Sequence, residues 1–443
     1  MKRRNFLKAG AAVYATGGLM PATKVSAKVN SANETLNVGV IGCNGMGNNN
    51  LRSMLLSPNV RCAALCDVDD SVLARRKSEI MRDYGNTPAL YKDYRRLLDR
   101  QDIDAVIIAT PDHWHCLQMV DAVSAGKHVY VEKPISNSIS EANRMLEAAN
   151  YYKTIVQVGQ WQRSGQHWID AIDYVHSGSL GQIRTVKAWA YMDWLKSIPV
   201  RPDTSAPHGV DYDMWLGPAP KRPFNINRFH FTFRWFWDYA GGLMTDWGVH
   251  LLDVGLWGMK AGTPRRVVSS GGNFAYPDSA METPDTQQAI FEFEDFTMIW
   301  EHANGIGLGP FQRSHGIAFI GNNGTLIVDR EKWEVLPEVE NEDGSTKSKV
   351  KAVEQQFARQ GESGLAQHTA NFVNAIRVGE KLTCDINVGS LAAINAHMGN
   401  VALKTRTSLS WDAEAWRFES NKEANELMVP EYRAPWVYPK IIS

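Results

Sequence analysis

The sequence predicts an α/β protein in two parts, a doubly wound parallel sheet over about residues 34–156 and, over about 157–443, an α/β domain built on a large, mostly antiparallel, open-faced sheet. Three observations carry this. An apolar run at 36–41 passes through a glycine turn into a helix pattern. Two further apolar runs, at 104–111 and 129–134, each end in proline. From residue 183 onward the hydrophobic period shifts to 2, the signature of half-buried antiparallel strands.

With 443 residues the chain is well beyond the ~150 expected of one domain. A net charge of −1 with 21% charged residues offers no basic excess for nucleic acid. No apolar run reaches the ~18 residues of a membrane span. A small neutral molecule is the partner this composition suggests. Cys43, Cys62, Cys66, Cys116 and Cys384 contain no C-x-x-C pair, and their odd number closes no disulfide framework. Cys62 and Cys66 read as buried strand residues, and no metal site is expected.

Lys2-Arg3-Arg4-Asn5-Phe6-Leu7-Lys8 precedes a Gly-rich apolar run over 9–20 and the small residues of Val25-Ser26-Ala27. Residues 1–27 therefore read as a twin-arginine export signal, which is an address and not an anchor. Export of the folded protein to the periplasm follows as an expectation.

In the first part, Leu36-Asn37-Val38-Gly39-Val40-Ile41 is a buried-strand run, followed by Gly42-Cys43-Asn44-Gly45-Met46-Gly47 and a helix pattern over 49–56. Amide N–H groups and the dipole at a helix start can hold a pyrophosphate. Asn44 stands where a second glycine is usual; it tolerates a left-handed turn better than most residues. Ala63-Ala64-Leu65-Cys66-Asp67 ends a second strand in an acid twenty residues after Gly47, placed to grip a ribose diol and to repel a 2′-phosphate. NAD is thus expected over NADP, held by a Rossmann-type turn.

Asp104-Ala105-Val106-Ile107-Ile108-Ala109 is another strand. Thr110-Pro111 at its carboxyl end and Asp112-His113-Trp114-His115 at the next helix start face the same crevice. His113 and His115, each alone, are explained by capping and packing. Val129-Tyr130-Val131-Glu132-Lys133-Pro134 repeats the pattern, the proline ending the ladder for want of an N–H. Lys133 at that carboxyl end either closes the strand as a solvated charge or reaches into the crevice as a hydrogen-bond donor.

In the second part, strands are expected at 183–191, 287–293, 297–301 and 324–328, with one sheet face packed on helices and the other free. The stretch over about 337–351 is polar and aperiodic, a surface excursion. Residues 366–377 and 388–404 read as helices that close the domain. Nine of the fifteen tryptophans fall between Trp161 and Trp257. Most are core; one or two suit the flat C–H face of a sugar ring, with Trp237 and Arg163 as candidates for substrate contact. Gly241-Gly242-Leu243-Met244-Thr245-Asp246-Trp247-Gly248-Val249-His250 reads as one helix after a glycine turn, with Asp246 and His250 on one face. This is either an ordinary helix pair or a carboxylate orienting a proton-carrying imidazole. Asp253, three beyond His250, is the other candidate for the orienting acid.

Taken together and in this order, the nucleotide fold, Glu132-Lys133-Pro134, and the later Asp246 and His250 resemble the glucose-fructose oxidoreductase, inositol dehydrogenase and MocA family over nearly all of 34–420. The sequence departs from that pattern at Asn44 and in the Trp-rich stretch over 189–237. The resemblance implies a Rossmann domain with an open-faced α/β domain that often oligomerises through its sheet. It places the reacting set on Lys133, Asp246 and His250, with the nicotinamide cofactor held by Gly42, Asn44, Gly45, Met46, Gly47, Asp67, Thr110, Pro111, His115, Glu132 and Lys133. The implied activity is hydride transfer between NAD and a hydroxyl carbon of a sugar, glycoside or cyclitol. His250 would take the hydroxyl proton, Lys133 hydrogen-bond the same oxygen, and Asp246 orient the pair. Because the periplasm supplies no NAD pool, the cofactor is expected to stay bound while one substrate reduces it and another reoxidises it. The related NAD-dependent glycosidases also carry such export signals; they lack the Glu-Lys-Pro lysine. A sugar sensor without turnover is a third reading, opposed by the intact set of three.

Overall fold

The structure is a computed structural model and describes residues 34–342, 345–359 and 363–441. The export signal read over 1–27 lies outside them. The first sheet is formed by β1 (Leu36–Ile41), β2 (Val60–Cys66), β3 (Ala89–Tyr91), β4 (Ala105–Ile108), β5 (His128–Val131) and β6 (Val156–Val158), in the order β3-β2-β1-β4-β5-β6. Every pairing is parallel. Its inner strands are buried on both faces, as a sheet with helices on each side requires, while the edge strand β3 is partly exposed. Cys62 and Cys66 are buried in β2, and all five cysteines are free.

The winding reverses between β1 and β4, and a crevice opens beyond their carboxyl ends. Helices α1 (Gly45–Met54), α2 (Asp70–Tyr84), α3 (Tyr94–Leu98), α4 (Asp112–Ser124) and α5 (Ile139–Tyr152) alternate with these strands. Asp69 caps α2 by accepting from the amides of Ser71 and Val72, and Ser138 caps α5 through Glu141 N.

After α6 (Gln166–His176) the chain enters the second sheet, where all pairings but one are antiparallel. Its strands are β7 (Ile183–Met192), β8 (Arg266–Gly272), β9 (Thr286–Glu292), β10 (Thr297–Asn304), β11 (His315–Gly321), β12 (Gly324–Val328) and β13 (Lys332–Pro337). β14 (Val339–Glu342) and β15 (Ser345–Ser348) stand apart as a two-stranded ribbon. β16 (Val353–Phe357), β17 (Leu409–Asp412) and β18 (Arg417–Phe418) complete the sheet in the order β16-β13-β12-β11-β7-β10-β9-β8-β17-β18. The exception is β7 against β10, which run parallel. The polar stretch over 337–351 is thus a solvent-exposed hairpin, its charged residues paired across strands although they lack an apolar face.

The long connection between β7 and α8 (Gly242–Asp246), which includes the short α7 (Tyr212–Leu216), folds back over the first sheet. α9 (Gly248–Met259) follows α8 and packs on β7 and β11. The opposite sheet face is free only in part. Trp189 on that face donates its indole N–H to Arg313 O at 2.8 Å and lies 5.6 Å from the Phe311 ring, whereas Val268 and Ile290 stay exposed.

α10 (Leu365–Val378) and α11 (Ile386–Thr405) match the expected helices closely. α10 closes the first sheet instead of the second: Phe372, Val373 and Ile376 join Leu51 and Tyr130 in one core. Each such buried side chain contributes about 1.5–3 kcal/mol. The two parts are therefore stitched through the C-terminal half. Tyr432 and Tyr438 continue this, donating to Glu141 Oε1 and Ser140 O on α5.

Candidate active site

The glycine turn bends because Gly42 adopts φ +85°, with a hypothetical Cβ only 2.6 Å from Ala109 O. Gly47 has no room either, since a Cβ there would lie 1.9 Å from Gly42 O. Asn44, by contrast, is extended at φ −95°, so the turn does not ask it for a left-handed conformation. Its side chain makes no capping bond to α1 and accepts instead from Arg75 and Arg76 at 3.2 and 3.1 Å, and the first turn holds no acid. The amides of Gly45 and Met46, at the cavity wall, are left for an anionic ligand.

At the end of β2, Asp67 accepts from Cys43 N at 2.8 Å and from Asp69 N at 3.1 Å, tying the acid to the turn. Burial pushes its carboxyl up, and those two amides pull it down. A cavity of about 340 Å³ runs past these residues, lined by Gly42, Asn44, Gly45, Met46, Asp67, Thr110, Pro111, His115, Glu132 and Lys133. Gly47 shapes the turn from behind and is the one expected cofactor residue that does not line it. The donor set fits a dinucleotide: bare helix amides for phosphate, a carboxylate for a diol, and an ammonium at the far end.

Thr110 Oγ1 donates to Gln118 at 2.8 Å. The His115 ring sits between the carbonyl oxygens of Pro134 and Thr110, 2.7 Å from each, joining the ends of β4 and β5. His113 packs beneath, 3.1 Å from Trp215 O. Glu132 is buried, accepting from Asn50 at 2.8 Å and from Lys133 N at 3.2 Å. Burial raises it, while the Lys133 charge opposes.

Lys133 Nζ donates to Asp246 Oδ1 at 2.8 Å and to Asp246 O at 2.9 Å. Arg234 Nε donates to the same Oδ1 at 3.2 Å. Burial alone would push the Asp246 carboxyl up, but Lys133 and Arg234 outweigh it and hold it at about 2. The expected single helix is broken at Trp247, so Asp246 ends α8 and His250 lies in α9. Asp246 thereby orients the lysine and not the histidine, a correction to the sequence expectation.

His250 is buried, and its Nδ1 has no hydrogen-bond partner among the described residues. Burial drives it well below 6.5, helped by the charges of Lys133 and Arg330. It is a neutral base in a positive setting, within the electrostatic reach of Lys133.

Asp253 does not serve His250 either. Both its oxygens accept from Arg163, at 2.7 and 2.8 Å, and the guanidinium lies 5.0 Å over the Trp257 ring. Arg163 is thus committed to a buried pair. Trp237 is also elsewhere, donating to Glu282 O at 2.9 Å beside a second, small cavity with Lys404 over its ring. Neither lines the main cavity.

Sequence reasoning missed the wall supplied by the connection between β7 and α8: Trp215, His230, Phe231, Phe233 and Arg234 all line the cavity. His230 Nε2 lies 3.2 Å from Asp69 Oδ2. Asp70 N donates to Gly209 O at 3.1 Å, Asp211 N to Val68 O at 2.9 Å, and Lys92 Nζ to Gly209 O at 3.3 Å. This loop carries no periodicity that would reveal it; its surplus of aromatic residues is the one signal.

Residues 36–160 match the family model of an oxidoreductase family with an NAD-binding Rossmann fold. Residues 175–260 and 339–438 match that family's C-terminal alpha/beta domain, and 221–327 a GFO/IDH/MocA C-terminal domain. Among curated proteins, an alpha-N-acetylgalactosaminidase of Shewanella oneidensis is 29% identical over 203 residues, which is 41% of this chain and 44% of that one. A glycosyl hydrolase family 109 protein of a Shewanella species is 28% identical over 204 residues, covering the same shares. The chain thus spans less than half the length of the curated relatives it matches. Among solved structures, levoglucosan dehydrogenase in complex with NADH and levoglucosan has a TM-score of 0.62 at 17% identity, over 85% of this chain and 99% of that one. An aldose-aldose oxidoreductase from Caulobacter crescentus has a TM-score of 0.62 at 18% identity, over 85% and 100%. These last two likenesses are of fold.

Proposed function

The chain belongs to the Gfo/Idh/MocA oxidoreductase family, and from that premise we propose that it transfers a hydride between a hydroxyl carbon of a sugar, glycoside or cyclitol and an NAD held along the glycine turn. The observation that carries this is Lys133, fixed by Asp246 at the end of β5 and lining the same cavity as the turn. When bound, the cofactor supplies the hydride acceptor.

The rest is work for this chain's own groups. The α1 amides and Asp67 hold and orient the dinucleotide. Lys133 donates a hydrogen bond to the substrate oxygen and stabilises negative charge as it grows there. Asp246, itself held by Arg234, keeps that ammonium aimed. His250, neutral and with Nδ1 unpartnered, takes the hydroxyl proton. The connection over Asp69 and Asp70 walls one side of the crevice.

The test is absorbance at 340 nm with a panel of sugars, glycosides and cyclitols, after native mass spectrometry for bound nucleotide. Reduction of resident NAD by a member of the panel is expected. Protein that carries no nucleotide and reduces none would end the reading.

A second reading has one observation in its favour, the likeness to an alpha-N-acetylgalactosaminidase: transient oxidation at C3 by NAD would acidify the neighbouring C–H, elimination would release the aglycone, and addition of water with return of the hydride would restore NAD. Release of aglycone from a chromogenic glycoside, with no net NADH, would decide for it. The export signal supports a periplasmic site of action and a cofactor recycled in place. The exposed Val268 and Ile290 on the open sheet support a homo-oligomer formed there, which light scattering tests.

A further inference from the structure

A second group of side chains surrounds His250 and lines no part of the cavity at the glycine turn. Arg330 follows β12, and its guanidinium carbon lies 4.2 Å from the Trp247 ring centre and 4.9 Å from that of Trp161, a cation against two indoles. Among the described residues its Nε is buried without a partner. The neighbouring carboxylate gives it nothing. Asp329 Oδ2 accepts from Arg313 at 2.9 Å, and its Oδ1 from the amides of Glu331 and Lys332 at 2.7 and 2.9 Å. Asp246, within electrostatic reach, is already shared by Lys133 and Arg234.

His315 on β11 packs 4.8 Å from the Trp247 ring; its Nδ1 lies 3.0 Å from Ser314 Oγ, and its Nε2 is buried without a partner among the described residues. His250 lies 6.1 Å from Trp161 and 6.4 Å from Trp247, ring to ring, with Nδ1 also unpartnered. Three unsatisfied nitrogens from three elements thus gather around one pair of tryptophans. Buried donors and acceptors without partners cost free energy unless a ligand completes them. Trp161, Trp247, His315 and Arg330 are all half-buried, so the group opens to solvent, with His250 buried at its floor.

We infer that Arg330, His315 and His250, walled by Trp161 and Trp247, form the substrate seat, and that it takes a sugar carrying an anionic group, a carboxylate or a sulfate ester, against the Arg330 guanidinium. Indole faces suit the C–H face of a pyranose, and a planar guanidinium without a carboxylate partner matches two oxygens of such an anion. The overall composition suggests a neutral ligand; the charge is local, because Arg330 and Lys133 stand near His250 while Asp246 is spent on Lys133 and Arg234. The inference rests on the hydride-transfer reading for the roles of Lys133 and His250.

The test is calorimetric titration of the purified holoprotein with glucuronate, galacturonate and the 6-sulfates of glucose and galactose, beside the neutral parent sugars. At least one acid sugar should bind about ten- to a hundredfold tighter than its parent, the range for one charge-assisted contact. Which of the two groups wins tells carboxylate from sulfate. Arg330→Gln should erase the preference, Arg330→Lys keep part of it, and His315→Gln weaken acid and neutral sugars alike. Equal binding of parents and acids, no binding of any acid, or a preference that survives in Arg330→Gln overturns the seat. Melting curves establish that each variant is folded, and where Arg330→Gln is not, Arg330→Lys serves, an undiminished preference there overturning the seat. Absorbance at 340 nm with the same sugars separates the two claims. Selective binding without reduction leaves the seat and removes hydride transfer; reduction by acid and neutral sugars alike, with no preference for Arg330→Gln to erase, does the reverse.

Discussion

Lys133 donates to Asp246 twice, once to the carboxylate and once to the backbone carbonyl, across 113 positions of chain. The double contact joins the end of β5 to the end of α8, and the lysine is held at an angle that a carboxylate contact alone would leave loose. With side chains only 12% and 15% exposed, water competes poorly for either partner.

Lys133→Ala removes the donor to the reacting oxygen. Turnover should fall by about 10² to 10⁴, while nucleotide still copurifies, since the α1 amides and Asp67 are untouched. The check is kcat by absorbance together with the ratio of bound nucleotide to protein. A rate within threefold of wild type would remove Lys133 from the chemistry.

His250 sets the acid limb of the rate. A buried imidazole pushed well below 6.5 stays neutral and able to accept a proton through neutrality, losing that ability only as pH falls through its lowered pKa. The profile of kcat/KM should therefore be level from pH 8 down past 6.5 and break below it. His250→Asn should lower the plateau by about 10² or more. A break near 6.5 in wild type would mean that a solvent-exposed group controls the rate.

Arg163→Ala tests whether that residue serves the fold or the substrate. Asp253, 1% exposed, would be left as a buried charge without its partner, and breaking such a pair costs about 3–5 kcal/mol. Denaturant unfolding should show a loss of that order, with KM nearly unchanged at a temperature where the variant is folded. A raised KM with wild-type stability would return Arg163 to the substrate.

Gly47→Ala places a methyl 1.9 Å from Gly42 O, so the turn must open. Nucleotide should be lost from the purified protein while the far-ultraviolet circular dichroism is kept. Asn44→Gly, at a residue already extended, should leave nucleotide content as it is.

Much of the frame was legible because its signals are local. The run from Leu36 through the glycine turn to Asp67 is a strand, a turn, a helix and a strand in sequence, and the helices at 365–378 and 386–405 announce themselves by period. The break at Trp247 was not legible, since Trp247 itself keeps helical φ and ψ and the apolar pattern continues past it; that Asp246 meets Lys133 and not His250 depends on contacts between distant elements. Arg330 and His315 escaped for another reason: each is an ordinary polar residue at a strand end, meaningful only once β11 and β12 are laid against α9. Arg163 and Trp237 show the converse, residue types suited to sugar that tertiary contacts employ elsewhere.

The loop pinned across the mouth of the crevice by Gly209, Asp211 and His230 bears on the timing of the reaction. Were a nucleotide beneath it to depart only as those tethers part, exchange would follow the rhythm of a gate and not of free diffusion. An oxidant and a reductant visiting in alternation would then share one resident carrier, and the initial-rate plots of such a two-substrate reaction should run parallel instead of crossing.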